Sequence, residues 1–274
     1  MRRILLWRSR AQSKRQNFKQ SLRQGDFFES PCFGNRGKSL RAKWVIAAKK
    51  ADFSRIGERF GIDPVIARIM RNRGMTEADE MEMYLHGTKA DLYNPHLLKD
   101  VDRAAEIIYG KIREGKRIRI IGDYDIDGIQ STFILLKGLG RLDADVDYVI
   151  PDRIQDGYGL NEHLVTRAYE EGIDTILTCD NGISATEQIS MAKKLGMTVV
   201  VTDHHEVPFE ETESGRRQIR SEADAVVNPK QDDCTYPFKG LCGASVAFKF
   251  IQVLYELAGV PVSEADPFIE NAGF

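Results

Sequence analysis

The sequence has no long hydrophobic segment and no paired cysteine motif. None of its apolar runs approaches the roughly 20 residues that a membrane-spanning helix needs, and residues 4–7 are too short for a secretory signal. These absences predict a cytoplasmic protein with no membrane partner. Neither a zinc finger nor a disulfide framework is predicted, because no C-x-x-C pair occurs among the four cysteines Cys32, Cys179, Cys234 and Cys242.

Basic residues are scarce over most of the chain. Residues 1–43 carry twelve Lys or Arg against two acids, whereas the remainder carries 27 basic and 39 acidic residues. An acidic body argues against a broad surface that coats nucleic acid, and leaves a local basic groove possible.

The basic N-terminal stretch has the composition of a disordered tail. Residues 1–42 are rich in Arg, Lys, Gln and Ser and show no sustained period. Three interpretations compete: an electrostatic arm for nucleic acid, an organelle-targeting peptide, or a non-native extension from a misassigned start codon. We favour the third, because a patterned sequence begins abruptly at Ala42.

Residues 43–100 are predicted to form an N-terminal helical segment. Apolar spacing indicates two short helices interrupted at Gly61, with Pro64 in the first turn of the second. A capping box at residues 76–79 predicts a third helix, and residues 101–114 read as an amphipathic helix stopped by Gly115.

Strand and helix patterns then alternate, which predicts a parallel β-sheet flanked by helices, an α/β fold. The first strand, residues 118–121, is apolar. The predicted strands that follow are residues 146–150, 175–178 and 198–201, and the helices are residues 129–137, 162–171 and 185–195.

Three carboxylates follow the first of these strands within five residues: Asp123, Asp125 and Asp127. They repel one another unless a multivalent cation lies among them, so they favour a metal site. A calcium loop of the EF-hand type is improbable, because position twelve counted from Asp123 is Ile134 rather than glutamate. A solvated acidic loop remains open on this stretch alone.

Two later strands also end in polar residues. One is followed by Asp180 and Asn181, and the next by Asp203, His204 and His205. Because parallel strands end at one edge of a sheet, these side chains are predicted to converge with the first acidic cluster. Carboxylates with imidazoles and no thiolate suit Mn²⁺ or Mg²⁺ better than structural zinc.

The three motifs resemble those of the DHH phosphoesterase family. They read G-D-Y-D-I-D-G, T-C-D-N-G and T-D-H-H-E, and the segments at residues 151–160, 227–230 and 241–249 are similar to its RecJ branch, the single-strand-specific DNA exonucleases. The resemblance runs from about Ala42 to the end and assigns residues 101–274 to the phosphoesterase domain.

The resemblance implies a site for two metal ions, Mn²⁺ or Mg²⁺. Asp125 and Asp127 would each hold one ion, Asp123 would assist, Asp180 would bridge both, and His204 would be a ligand of the second. Bridged ions lower the pKa of a shared water and clamp phosphate oxygens.

Further catalytic and substrate-binding roles are expected around this centre. His205 would face the scissile phosphate and Asp203 would orient His205 or its loop, so the catalytic set is His205, Asp203 and Asp180. Substrate contacts are expected from Asn181 and from three residues that could equally be structural: Arg153, Tyr158 and Ser131.

This chain departs from the family pattern in one respect. A fourth motif, an aspartate downstream of the third, and a substrate-binding domain are expected but not seen before Phe274, so we interpret the chain as an N-terminal part. The predicted function is a metal-dependent 5′-to-3′ exonuclease on single-stranded DNA in repair and recombination, with single-strand binding protein and a helicase as expected partners. The alternatives are a phosphodiesterase for short oligonucleotides or cyclic dinucleotides, and a catalytically silent fragment.

Overall fold

The computed structural model describes residues 51–152, 159–212 and 215–273. These fall into two compact units, one within residues 51–91 and the other within the described residues from Leu92 onward. The predicted disordered tail lies outside the described residues, and the domain limits given above stay a prediction.

The smaller unit contains the helices α1 (Phe53–Phe60), α2 (Pro64–Asn72) and α3 (Ala78–His86). Asp52 and Asp63 cap the first two, because each side chain accepts a hydrogen bond from a backbone amide in the first turn. Its core is the buried Met70, Met81 and Leu85, surrounded by partly buried apolar side chains.

The capping box of α3 lies one residue later than predicted. The helix begins at Ala78, and the Glu80 carboxylate, rather than Asp79, accepts hydrogen bonds from the amides of Thr76 and Glu77 at 3.0 and 3.3 Å. Glu80 fills this role because its side chain, which is one methylene longer than that of Asp79, reaches back to the amides before the helix.

The larger unit is built on a parallel sheet, which confirms the predicted α/β fold. Its strands are β1 (Ile118–Ile121), β2 (Val146–Val149), β3 (Thr175–Cys179), β4 (Thr198–Thr202), β5 (Phe209–Thr212), β6 (Gly215–Gln218) and β7 (Ala225–Val227). The five-stranded sheet has the order β2-β1-β3-β4-β7, with every pair parallel. Hence β1, β3 and β4, which precede the three polar motifs, are neighbours.

Helices cover both faces of this sheet. They are α4 (Val101–Arg113), α5 (Ile126–Gly140), α6 (Glu162–Glu170), α7 (Thr186–Lys194), α8 (Gly243–Leu257) and α9 (Phe268–Ala272), and the larger unit also has 3₁₀ turns at Pro95–Leu97 and Val262–Ala265. A further 3₁₀ turn, Lys89–Asp91, belongs to the smaller unit. One apolar core joins α4, α5 and α8 to the sheet, and the second joins α6 and α7 to its other face. α8 is buried at every position from Gly243 to Tyr255, so it acts as a core helix.

A two-stranded antiparallel hairpin, β5–β6, was not foreseen from the sequence. One strand carries two glutamates and the other two arginines, with Glu210 opposite Arg217 and Glu211 opposite Arg216, and these residues form ion pairs across the strands. Among the described residues, no helix has the length and apolar character needed to cross a bilayer.

Lys249 is a buried cation in α8, and we expect it to make stability depend on pH. Its Nζ donates to the Tyr93 carbonyl at 2.6 Å, and burial lowers the pKa of its ammonium to about 8 from 10.5. Between these values the unfolded chain binds more protons than the folded chain, so stability rises with pH.

Replacing Lys249 with methionine should therefore remove this rise. From about pH 8 to about pH 10 the free energy of unfolding should increase by about 2 kcal/mol more in the parent than in the variant. Urea unfolding at several pH values checks this, and parallel pH profiles would contradict it.

Candidate metal centre

The first acidic cluster lies where β1 ends and α5 begins. Asp125 is the N-cap of α5, and its carboxylate accepts hydrogen bonds from the amides of Asp127 and Gly128 at 2.9 and 3.0 Å. Asp123 is buried, and desolvation raises the pKa of its carboxyl, although the Tyr124 amide donates to it. The turn thus brings one exposed and one buried carboxylate to the carboxyl edge of the sheet.

Asp180 follows β3 and is almost completely buried. Its backbone has a φ of 60°, a left-handed conformation that side chains other than glycine seldom adopt. Burial is the largest cause that raises the pKa of its carboxyl to about 7, the His204 hydrogen bond opposes this, and the negative charges of Asp127 and Asp125 add to it. A carboxylate in this position is electrostatically ready for a cation.

Asp203, at the end of β4, holds the loop that carries both histidines. One oxygen accepts from the Ile183 amide at 2.9 Å, and the other accepts from the amides of His204 and His205 and from His205 Nδ1 at 2.8 Å. Burial alone would raise the pKa of Asp203, but these hydrogen bonds and the charge of His205 outweigh burial and lower it. The hydrogen bond between the Asp203 carboxylate and His205 Nδ1 raises the pKa of His205.

His204 connects the second and third motifs to the first. Its Nε2 lies 2.9 Å from Oδ1 of Asp180 and 3.4 Å from Oδ2 of Asp127. Asp127 is also held from the other side, because its oxygens accept from the amides of Gly243 and Ala244 at 2.7 and 2.8 Å. The N-terminus of α8 therefore stabilises this carboxylate.

Two groups of side chains can hold a metal ion. Potential ligand atoms lie within 4.8 Å of one another in the group Asp180, His204 and His205 and in the group Asp123, Asp125 and Asp180. Asp180 belongs to both. The donors are carboxylate oxygens and imidazole nitrogens, which fits Mn²⁺ or Mg²⁺. The structure thus brings together Asp123, Asp125, Asp127, Asp180, Asp203, His204 and His205.

Two residues that were predicted to contact the substrate make hydrogen bonds within the protein. Asn181 is buried, and its amide nitrogen donates to the carbonyls of Ile121 and Cys179 at 3.0 and 2.9 Å, so it braces β1 against β3. Ser131 is buried within α5, and its hydroxyl donates to the Asp127 carbonyl one turn earlier. Their substrate contacts stay predictions, and the predicted contacts of Arg153 and Tyr158 fall on residues outside those that the structure describes.

Sequence reasoning missed two supports of the site. The first is the α8 amide pair that binds Asp127; the small side chains of residues 243–245 are compatible with a close approach but do not identify its partner. The second is Asn228, which is fully buried, donates to the His205 carbonyl at 3.0 Å and accepts from the Lys230 amide at 2.8 Å. It lies in residues 227–230, a segment that resembles the RecJ branch but for which the sequence predicted no role.

Asn228 should matter for stability through its donor. In an Asn228→Asp variant the acceptor for Lys230 is kept, but a carboxylate faces the His205 carbonyl. We expect this to lower the free energy of unfolding by about 1–3 kcal/mol, the usual cost of an unsatisfied buried polar group. Urea unfolding without metal measures it, and a stability equal to that of the parent would disprove the role.

A family profile described as the DHH family, N-terminal domain, matches residues 117–269. This match covers more than half of the sequence and includes all three motifs. The chain belongs to the DHH family. It is similar to curated members of that family, among them the single-stranded-DNA-specific exonuclease RecJ of Bacillus subtilis (strain 168), with 40% identity over 78% of this chain and 26% of the relative.

Other relatives have the same description. The RecJ exonuclease of Escherichia coli (strain K12) is 36% identical over 70% of this chain and 31% of its own length. A crystal structure of RecJ from Thermus thermophilus in complex with Mn²⁺ has a TM-score of 0.58 at 29% identity, and covers 79% of this chain and 29% of that one. A crystal structure of exonuclease RecJ bound to manganese has a TM-score of 0.53 at 35% identity over 63% of this chain and 42% of that one. This DHH chain therefore spans about a quarter to a third of the length of these curated relatives.

Proposed function

We propose that this DHH protein is a metal-dependent exonuclease that hydrolyses phosphodiester bonds of single-stranded DNA. The observation that carries the proposal is the convergence of Asp180 with His204 and with Asp123 at the ends of neighbouring strands. Relatives named as single-stranded-DNA-specific exonucleases support the substrate class, and two similar RecJ structures in complex with manganese support the metal.

The chain's own residues have defined tasks in this reaction. Asp123, Asp125, Asp127, Asp180 and His204 would hold Mn²⁺ or Mg²⁺, with two ions expected in the complete site. Bound ions would supply an activated water and electrostatic stabilisation of the phosphate oxygens. Asp127 is oriented for this by the α8 amides.

His205 is the group we assign to the substrate phosphate. Its Nδ1 is bound to Asp203, so a contact with a phosphate oxygen is made through Nε2. The hydrogen bond to Asp203 fixes the tautomer and raises the pKa of the ring, which suits a donor to a negatively charged oxygen.

The proposal is tested by following digestion of long single strands labelled at either end. Manganese-dependent release of nucleotides from the 5′ end first would support the proposed 5′-to-3′ polarity. Faster hydrolysis of short oligonucleotides or cyclic dinucleotides than of long strands would favour the small-substrate alternative. Metal binding without hydrolysis of either substrate would identify a catalytically silent form.

The cellular setting of this activity is also a proposal. A nuclease of this specificity would act in DNA repair and recombination in the cytoplasm, where strands opened by a helicase and covered by single-strand binding protein are its substrates. Co-precipitation of either protein with the chain, tested after nuclease treatment to remove DNA bridges, would support a direct partnership.

A further inference from the structure

The smaller unit contains a pair of helices with a sharp, sterically fixed turn. α1 has eight residues, α2 has nine, and residues 61–63 connect them. Gly61 has a φ of 60° and its amide bonds to the Gly57 carbonyl, which also accepts from the Ile62 amide at 3.0 Å. A short first helix, a three-residue turn that contains glycine and a second helix match the order of elements in a helix-turn-helix.

Gly57 is required for this turn. A Cβ atom at this position would lie 2.6 Å from the Ile62 carbonyl oxygen and 3.4 Å from the Pro64 nitrogen. Both contacts are with backbone, which cannot move aside without opening the turn. The side chains of Ile56, Phe60 and Ile62 pack against the buried cluster that contains Met70 of α2, so both helices share one small core.

The outward face of α2 is exposed within the smaller unit. Val65 is 64% exposed and Ile69 is 45% exposed, although both lie in a helix with a well-formed inner face at Ala67 and Met70. Helical spacing brings Asn72 and Arg68 to the same outer face. We call Val65, Arg68, Ile69 and Asn72 the α2 face.

The residue types of the α2 face suit the edges of base pairs in a major groove. Arginine binds guanine, asparagine binds adenine, and small apolar side chains contact the thymine methyl group. The Arg68 guanidinium carbon lies 5.5 Å from the centre of the Phe53 ring at the first residue of α1, so a cation–π contact positions this side chain.

Charge also favours a nucleic-acid partner for this pair of helices. Residues 52–74 carry five arginines against three acids, whereas the chain beyond residue 43 is acidic overall. Two of those three acids, Asp52 and Asp63, are helix caps whose carboxylates accept from backbone amides. A basic element in an acidic protein is an electrostatic footprint for phosphates.

We infer that α1 and α2 form a helix-turn-helix that docks the α2 face into the major groove of duplex DNA. A duplex is favoured over a single strand because only a duplex has a groove that admits an α-helix. This inference goes beyond the proposed nuclease, whose substrate is single-stranded: it gives the chain a second contact, on the paired part of a partly single-stranded DNA.

The test measures binding of the full chain by fluorescence anisotropy with a chelator present, so that no hydrolysis occurs and the result does not depend on the nuclease. The probes are a blunt duplex of about 20 base pairs and a thymidine homopolymer of about equal length. Ile69→Glu should weaken duplex binding by at least about tenfold, because a carboxylate would face the groove, and should change single-strand binding by less than about twofold.

Two further variants distinguish the loss of α2-face contacts from a folding defect and from binding by the basic N-terminal residues. Arg68→Ala should weaken duplex binding by about tenfold, whereas Arg103→Ala, a matched change of an exposed arginine on α4, should leave it within about twofold. Both α2 variants should keep the parent's melting temperature.

Two results would overturn the inference. One is duplex affinity equal to that of the parent in both α2 variants, or an equal loss for duplex and single strand. The other is concentration-dependent self-association of the parent that Ile69→Glu abolishes while duplex binding persists, which would assign the α2 face to a second copy of the chain.

Discussion

Replacing Asp180 with alanine is expected to reduce manganese-dependent release of nucleotides from single-stranded DNA by about a thousandfold or more. Asp180 is the one residue shared by both groups of potential metal ligands, so its loss removes a donor from each. It also removes the acceptor 2.9 Å from Nε2 of His204, which would free that imidazole to turn away. Undiminished release by the variant would refute the site assignment.

A binding measurement separates loss of metal from loss of fold. The parent's melting temperature should rise when Mn²⁺ is added, because a ligand that binds only the folded state stabilises it, and the variant's should rise much less. Asp174→Ala is the matched control: this carboxylate precedes β3 at the opposite edge of the sheet and pairs with Lys111 at 2.7 Å. The control should retain both the activity and the manganese-induced shift.

The order of elements was largely predictable from the sequence because local patterns determine it. Apolar strands and amphipathic helices from Val101 to β4 were predicted with the right type, and their ends differ from the structure by a few residues at most. Helix α5 shows the largest difference, since it begins at Ile126 rather than at residue 129. Asp125 caps it there, so the acidic motif is partly helical.

The arrangement of the site could be predicted only in part. A parallel sheet implies that the strand ends share one edge, but the sequence does not say that β2 lies at the outside of the sheet. Because it does, β1 adjoins β3, and the first two motifs become neighbours. Asn181 and Ser131 are buried because of this packing, and residue type alone does not reveal that burial.

The α8 amides that bind Asp127 could not be predicted, because they join residues far apart in the sequence. The short side chains at residues 243–245 are compatible with close packing or with a phosphate contact, so they do not identify Asp127 as the partner. In the structure the packing at Gly243 leaves no room for a side chain. A Cβ atom on Gly243 would lie 2.6 Å from Oδ1 of Asp180 and 2.7 Å from its Cβ.

Gly243→Ala should therefore disrupt both stability and metal binding. The added methyl group overlaps a buried side chain whose backbone is fixed in the left-handed region, so α8 must move outward by some tenths of an ångström. We expect a loss of about 1–3 kcal/mol in the free energy of unfolding, the usual cost of overpacking a core. Movement of α8 also weakens the amide bonds to Asp127, so manganese affinity measured by calorimetry should fall.

Gly110→Ala is the same chemical change, and we expect it to have the opposite effect on the free energy of unfolding. Gly110 lies within α4, and a Cβ atom there meets nothing within 4 Å. The substitution should stabilise the chain by about 0.5–1 kcal/mol, because alanine loses less backbone entropy in a helix, and should leave manganese affinity unchanged. Since both variants add one methyl group to a helix, opposite signs in urea unfolding would attribute the Gly243 effect to the space beside Asp180. If the Gly243→Ala variant were instead as stable as the Gly110→Ala variant, α8 could lie farther from the metal centre without a loss of stability.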